Sequence, residues 1–145
     1  MQHNIREARL RPEFAELYGA EEHDSPDYPP RTRDNVLDCV LCVWLGNPDS
    51  RGGKLTLKTT CALSRPDVVI EGPGSHWMPS DIASWIEESL EFHLCRRDRG
   101  GPHRDGVVLI AGSRESKAPG IGVWVEAYLT EVFRLLRAQP DRLST

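Results

Sequence analysis

The chain has 145 residues, 39% of them hydrophobic, which suits one compact core and not two. A domain of this length buries roughly 70% of the surface its unfolded chain exposes, so a small scaffold stapled by disulfides or metal is set aside. With 18 Lys+Arg against 22 Asp+Glu the formal charge is -4, which removes the electrostatic case for sequence-independent nucleic-acid binding.

From the amino end, Met1 to Ala15 is charged, with only Ile5, Leu10 and Phe14 as scattered apolar positions, and reads as an arm or a loose helix. Its start, MQHNIREARLRPEF, lacks the apolar stretch of a secretory leader. No run approaches the ~20 apolar residues that span a bilayer, so the expected location is the cytoplasm. A short strand is expected over Leu17–Glu22. The segment Asp24–Pro30, with three prolines in seven residues, predicts an extended connection. After RTRDNVLD comes Cys39–Leu45 (CVLCVWL), an apolar run of strand length stopped by Gly46-Asn47-Pro48-Asp49. Such a run has no polar face, as in a parallel strand covered by helices on both sides.

Two further β-branched runs, Val68–Ile70 and Val107–Ala111, are closed by glycine or a small polar residue. Helical patterns lie between and after them: Leu55–Leu63, then Ser80–Leu94 with Ser80 as N-cap. The last follows Pro119, with Ile121, Val125, Tyr128, Leu129, Val132 and Leu136 at helical spacing. Alternating strand-runs and helices predict a three-layer Rossmann-like α/β sandwich with a mainly parallel sheet. The expected division is an arm at 1–16, the α/β domain at 17–139 and a tail at 140–145. Within it, Arg96–Gly106 is a Gly- and Arg-rich loop whose Arg96, Arg97, Arg99 and Arg104 form a local positive patch.

Ligands in such sheets bind beyond the carboxyl ends of the strands, which directs attention to the segments after Leu45, Ile70 and Ala111. After Leu45, Gly52-Gly53 immediately precedes a predicted helix. Bare backbone N–H groups there can approach an anion at the positive helix end, with Lys54 and Thr56 beside them; the plainer alternative is a turn. After Ala111, Gly112-Ser113-Arg114-Glu115-Ser116-Lys117 offers hydroxyls and a guanidinium fork that matches phosphate or carboxylate. The plainer alternative is a solvated loop in which Ser116 helps cap the last helix while Glu115 and Lys117 face water.

The order of Asp27-Tyr28, RTRDNVLD (Arg31–Asp38), an apolar strand, Gly52-Gly53 with LTL, and AGSRESKAPGI (Ala111–Ile121) resembles the molybdenum-cofactor carrier proteins. They are a family of the Rossmann-like SLOG superfamily of nucleotide and nucleotide-sugar binders. The resemblance covers about Leu17 to Leu136, and the AGSRES-x-x-PGI block is its most specific piece. It implies Gly52, Gly53 and Thr56 at a phosphate end of the pocket, and Ser113, Arg114, Glu115 and Ser116 on its rim. Asn35 and Asp38 are implied on the other side. The family's opening strand and Gly-Gly-x-Thr-Gly loop have no counterpart in Met1–Ala15, and Lys54 stands near the place of the family's small hydroxyl residue. The expected chain is therefore amino-terminally abbreviated, with a sheet edge for the arm or a second copy to cover.

Three functions follow from this reading. The first is a non-catalytic binding protein for a small anionic nucleotide-like ligand or the molybdenum (pterin) cofactor, working as a homo-oligomer without nucleic acid or membrane. The second is a nucleotide or nucleotide-sugar hydrolase with Glu115 or Asp38 as acid or base. Against it, the superfamily's hydrolase pattern Pro-Gly-Gly-x-Gly-Thr-x-x-Glu reads SRGGKLTLK here, without the glutamate or the third glycine. The third is an oligomeric scaffold that has lost the ligand site. Without an export signal, Cys39, Cys42, Cys61 and Cys95 read as reduced thiols. Cys39-x-x-Cys42 falls inside an apolar strand and predicts core packing. His93, Cys95, His103 and Cys61 match no zinc module. Trp44 and Trp77 stand near strand ends, as ring-stacking or packing residues, and Trp124 lies one position off the last helix's apolar stripe.

Overall fold

The computed structural model describes residues 27–95 and 106–138. The chain falls into two compact units, Met1–Arg31 and Thr32–Thr145. Among the described residues the elements run α1 (Tyr28–Asp38), β1 (Leu41–Leu45), α2 (Arg51–Ala62), β2 (Asp67–Ile70), α3 (Pro79–Cys95), β3 (Val108–Gly112) and α4 (Ile121–Arg137). The three strands form one parallel sheet in the order β2-β1-β3, an open Rossmann-like α/β arrangement.

Strand β1 lies in the middle and every residue of it is buried, which is why its sequence carries no polar face. Alternation along β1 splits the two layers. Leu41, Val43 and Leu45 join a core with Val68 and Ile70 of β2, Ile82 and Ile86 of α3, and Tyr128 and Val132 of α4. Each such side chain, buried instead of exposed, contributes about 1.5–3 kcal/mol, so this layer holds α3 and α4 on the sheet. The intervening Cys42 and Trp44 point to the opposite face, where α2 turns Gly53, Thr56 and Thr60 inward. The Thr60 hydroxyl lies 2.6 Å from Asp67 Oδ2 and 2.8 Å from Leu57 O, fixing α2 to the start of β2.

The first helix is a correction to the extended segment expected through Pro30. Tyr28-Pro29-Pro30 opens α1 instead, because the N–H that proline lacks has no partner in a first helical turn. At its other end, the Arg65 guanidinium reaches Val36 O (3.3 Å) and Leu37 O (3.2 Å), placing a cation on the carbonyl end of the helix. Helix α2 begins four residues earlier than the apolar pattern suggested, so Gly52 and Gly53 lie within its first turn and not before it. Helix α3 starts at Pro79 and not after a Ser80 cap. Asp81 reaches back to accept the Met78 N–H at 2.8 Å, the carboxylate half of a capping box. Leu17–Glu22, the side chain of Cys95, and the 96–105 loop with His103 and the four arginines lie outside the described residues.

Candidate functional site

Two loops leave the carboxyl ends of neighbouring strands and part. The one after β1 runs to α2 on the Trp44 face, and the one after β3 runs to α4 on the Leu45 face. This divergence is the topological switch point at which open α/β sheets form a crevice. Its floor is tightly sewn. Ser113 N–H donates to Leu45 O (2.9 Å), Gly46 N–H donates to Ile70 O (2.8 Å), and Asn47 N–H donates to Ser113 Oγ (3.2 Å). Gly46 is obligatory here, since its φ is +123° and a Cβ would run into the Ser113 side chain.

The glycine pair in the first turn of α2 serves two different ends. Ser50 is the N-cap and its Oγ accepts the Gly53 N–H at 3.0 Å. Gly53 is buried, and a Cβ on it would lie 2.5 Å from Pro48 O and 2.9 Å from Asn47 O, so its bareness lets the loop's own carbonyls approach the helix. Gly52 has no such constraint. Its φ is not in the left-handed region, and a Cβ would meet only Trp44 Cη2, at an ordinary 3.7 Å. The backbone N–H groups of Arg51 and Gly52, at the first two helical positions, have no acceptor among the described residues. Thr56 is buried beneath the turn. Lys54 is exposed, its ammonium 3.9 Å from Asp49. The Trp44 ring lies under Gly52 and is itself buried, its indole N–H without a hydrogen-bond acceptor among the described residues.

The start of α4 is built differently. Gly120 is its N-cap in the left-handed conformation (φ +86°) and supplies no side chain. Glu115 reaches forward instead, its Oε1 accepting from Gly120 N–H and its Oε2 from Gly122 N–H at 2.8 Å. The first of these bonds, then the second, lowers the Glu115 pKa below the ordinary carboxylate value. The solvated-loop alternative gave the capping role to Ser116; the structure gives it to Glu115. Ser116 and Arg114 are exposed on the same loop, and the Arg114 carbonyl accepts from Lys117 and Ala118 to close a turn. Between β3 and α4 lies a cleft of about 240 Å³, lined by Leu45, Ile110, Ser113, Glu115, Ile121 and Val125 among others.

Of the residues expected at a ligand site, the Gly52-Gly53 turn and Ser113–Ser116 are therefore brought to one edge of the sheet. Asp38 ends α1 just before β1 begins, and Asn35 is exposed one turn earlier. Both precede the strand while the crest loops follow it, with roughly 13 Å of extended chain between. Sequence reasoning passed over Ser50, Asn47, Gly46 and Gly122. Gly46 and Asn47 signal the end of the strand in the sequence, and Ser50, an N-cap type three residues before Gly53, signals the helix start; Gly122 carries no local signal.

Of the remaining candidates Cys61 is exposed, and Cys39, Cys42, Trp77 and Trp124 are packing groups. Cys39 and Cys42 are fully buried, and burial, then the neighbouring Cys39 and Asp67, pushes the Cys42 thiol up to about 12. Among the described residues no group of three or more His, Cys, Asp and Glu is placed to hold a metal. Trp77 packs on the core, and its carbonyl accepts the Tyr128 hydroxyl at 2.9 Å. Trp124 is half-buried against the Tyr128 ring, 5.2 Å between centroids. Among the described residues no helix is long and apolar enough to cross a membrane.

A parallel open sheet with a crevice at its switch point is the arrangement of a Rossmann-like α/β protein. The chain belongs to the circularly permutated YpsA SLOG family, whose model matches residues 5–133. In a permuted chain order elements move along the sequence while keeping their places in space. A solved structure from Syntrophus aciditrophicus, described as a "putative molybdenum carrier protein", is similar at 22% identity with a TM-score of 0.57. The match covers 81% of this chain and 65% of that one, so this chain spans just under two thirds of its length. No curated protein matches the sequence.

Proposed function

We propose that this chain is a non-catalytic binding protein for an anionic nucleotide-like ligand or a phosphate-bearing pterin cofactor, seated at the switch point between β1 and β3. The observation that carries the reading is Gly52. A glycine inside a helix costs roughly 0.5–1 kcal/mol relative to alanine, and neither backbone conformation nor packing asks for one at this position. What its bareness leaves accessible is the pair of open amides of Arg51 and Gly52 at the positive end of α2, the arrangement that receives a phosphate. Gly53 and Thr56 support that turn from beneath, and Lys54 and Arg114 add positive charge at the crest. Ser113, Glu115 and Ser116 form the rim opposite. The name of the similar Syntrophus protein supports a molybdenum-carrying role, and the sequence resemblance to the nucleotide-binding SLOG superfamily supports a nucleotide-type ligand.

Native mass spectrometry of the purified chain with a panel of nucleotides and pterin cofactor tests the reading. Uptake with the ligand's mass unchanged is the expected result. Gly52→Ala should leave the fold intact and lower that uptake, because a methyl group seated against Trp44 narrows the space beside the two open amides. Undiminished uptake by this variant would overturn the assignment of the α2 turn.

A further inference from the structure

The cleft between β3 and α4 differs in chemistry from the α2 turn. Leu45, Ile110, Ile121 and Val125 make its walls apolar, and a volume of about 240 Å³ falls below the ~300–1,000 Å³ of pockets that enclose a drug-sized molecule. It has room for one ring system and not for a whole nucleotide. At its mouth stands a carboxylate already fixed by two backbone amides. A carboxylate offers about four acceptor positions, and these amides use two, so Glu115 still accepts from a ligand without having to be oriented first. Its negative charge repels phosphate from this side. Ser113 also lines the cleft; its Oγ accepts from Asn47 N–H, and its hydroxyl proton has no acceptor among the described residues. The site thus pairs one spare acceptor with one spare donor against apolar walls.

We propose that this cleft is a ring subsite that takes an uncharged fused heterocycle by an edge carrying a ring N–H beside a carbonyl oxygen. Glu115 accepts from the N–H, Ser113 donates to the oxygen, and the aliphatic walls cover the ring faces. The proposal rests on the preceding reading only for the ligand's orientation, which is phosphate toward Gly52 and ring toward Gly122. It makes Glu115 a specificity-determining residue: a ring that presents a bare acceptor nitrogen at that edge faces a fixed negative charge.

Amide NMR titrations of the full chain test this with three probes: inosine, adenosine and ribose 5-phosphate. Inosine should shift the amides of Gly112, Ser113, Gly120 and Gly122 and bind at least about tenfold more tightly than adenosine, the scale of one hydrogen bond to a charged group. Glu115→Gln, which exchanges an acceptor oxygen for a donor, should weaken inosine by about the same factor. Val125→Phe, which fills the cleft without touching Glu115, should abolish inosine binding, so the test survives if the loss of the Glu115 charge unfolds the start of α4. Equal affinity for inosine and adenosine, or inosine shifts that map away from β3 and α4, would overturn the subsite. Ribose 5-phosphate should shift Arg51 and Gly52. If it shifts neither while inosine behaves as stated, the phosphate seat fails and the ring subsite stands.

Discussion

The turns that open α2 and α4 face the same edge of the sheet and solve the same problem in opposite ways. Every helix start leaves backbone N–H groups without partners. At α2 the Ser50 hydroxyl takes one of them, Gly53 N–H, and leaves those of Arg51 and Gly52 without an acceptor among the described residues. At α4 the Glu115 carboxylate takes Gly120 N–H and Gly122 N–H together, so this positive end already holds an anion supplied by the chain. Two polar loops at a switch point are therefore not two halves of one phosphate cradle. One presents donors and the other presents a negative charge, so a ligand bridging them must carry its charge at one end and its hydrogen-bond donors at the other.

Gly53→Val should have the largest effect on the α2 turn. Its branched side chain drives into the carbonyls of Asn47 and Pro48, and we expect a loss of about 3 kcal/mol in urea unfolding, the upper range for overpacking. A variant at Gly53 that lost ligand would therefore report a damaged loop and not a blocked anion. Next in size is Ser113→Ala, which removes the acceptor of Asn47 N–H and should cost about 1 kcal/mol by the same measurement. Gly52→Ala should act in the other direction, raising stability by about 0.5–1 kcal/mol and the melting temperature with it, since the methyl group fits against Trp44 and restricts the unfolded chain. A loss of stability there would mean that Gly52 is a packing glycine like its neighbour.

The smallest effect expected is at Glu115, which is exposed, and it appears chiefly as a pH dependence. Because its folded pKa lies below the unfolded value of about 4.3, its contribution is present above that pH and is lost as pH falls through the folded value. Melting temperatures of wild type and Glu115→Gln should therefore differ at pH 7 and converge in the acid range. A constant difference down to pH 2 would show that the carboxylate charge is not what caps α4.

Much of this architecture is legible in the residues. CVLCVWL carries no polar face because β1 lies between two strands and two helical layers. The Ile121–Leu136 spacing marks α4 because its Tyr128 and Val132 enter the core. Helix α1 escaped notice because Val36 is its sole fully buried residue among the described ones. A helix with so narrow a buried face leaves little periodic signal, and its two prolines read as a break. At the site, Gly52-Gly53 stood out as a pair, but nothing local distinguished the glycine that packs from the glycine that is open. Asn35 and Asp38 drew attention through a family block, and the direction of β1 places them before the strand instead of at its crest.

Composition and periodicity were sufficient for the parallel sheet, its alternation with helices and the strand ends after which a ligand would sit. Burial imposes those patterns on neighbouring residues, so they are written into short stretches of chain. Which amides stay open and which are covered depends on where a side chain five or seven residues away can reach. That path is set by the floor where Leu45 and Gly46 meet Ser113, more than sixty positions further along the chain. A donor's availability is a property of its surroundings, and those surroundings exist only once the strands have paired.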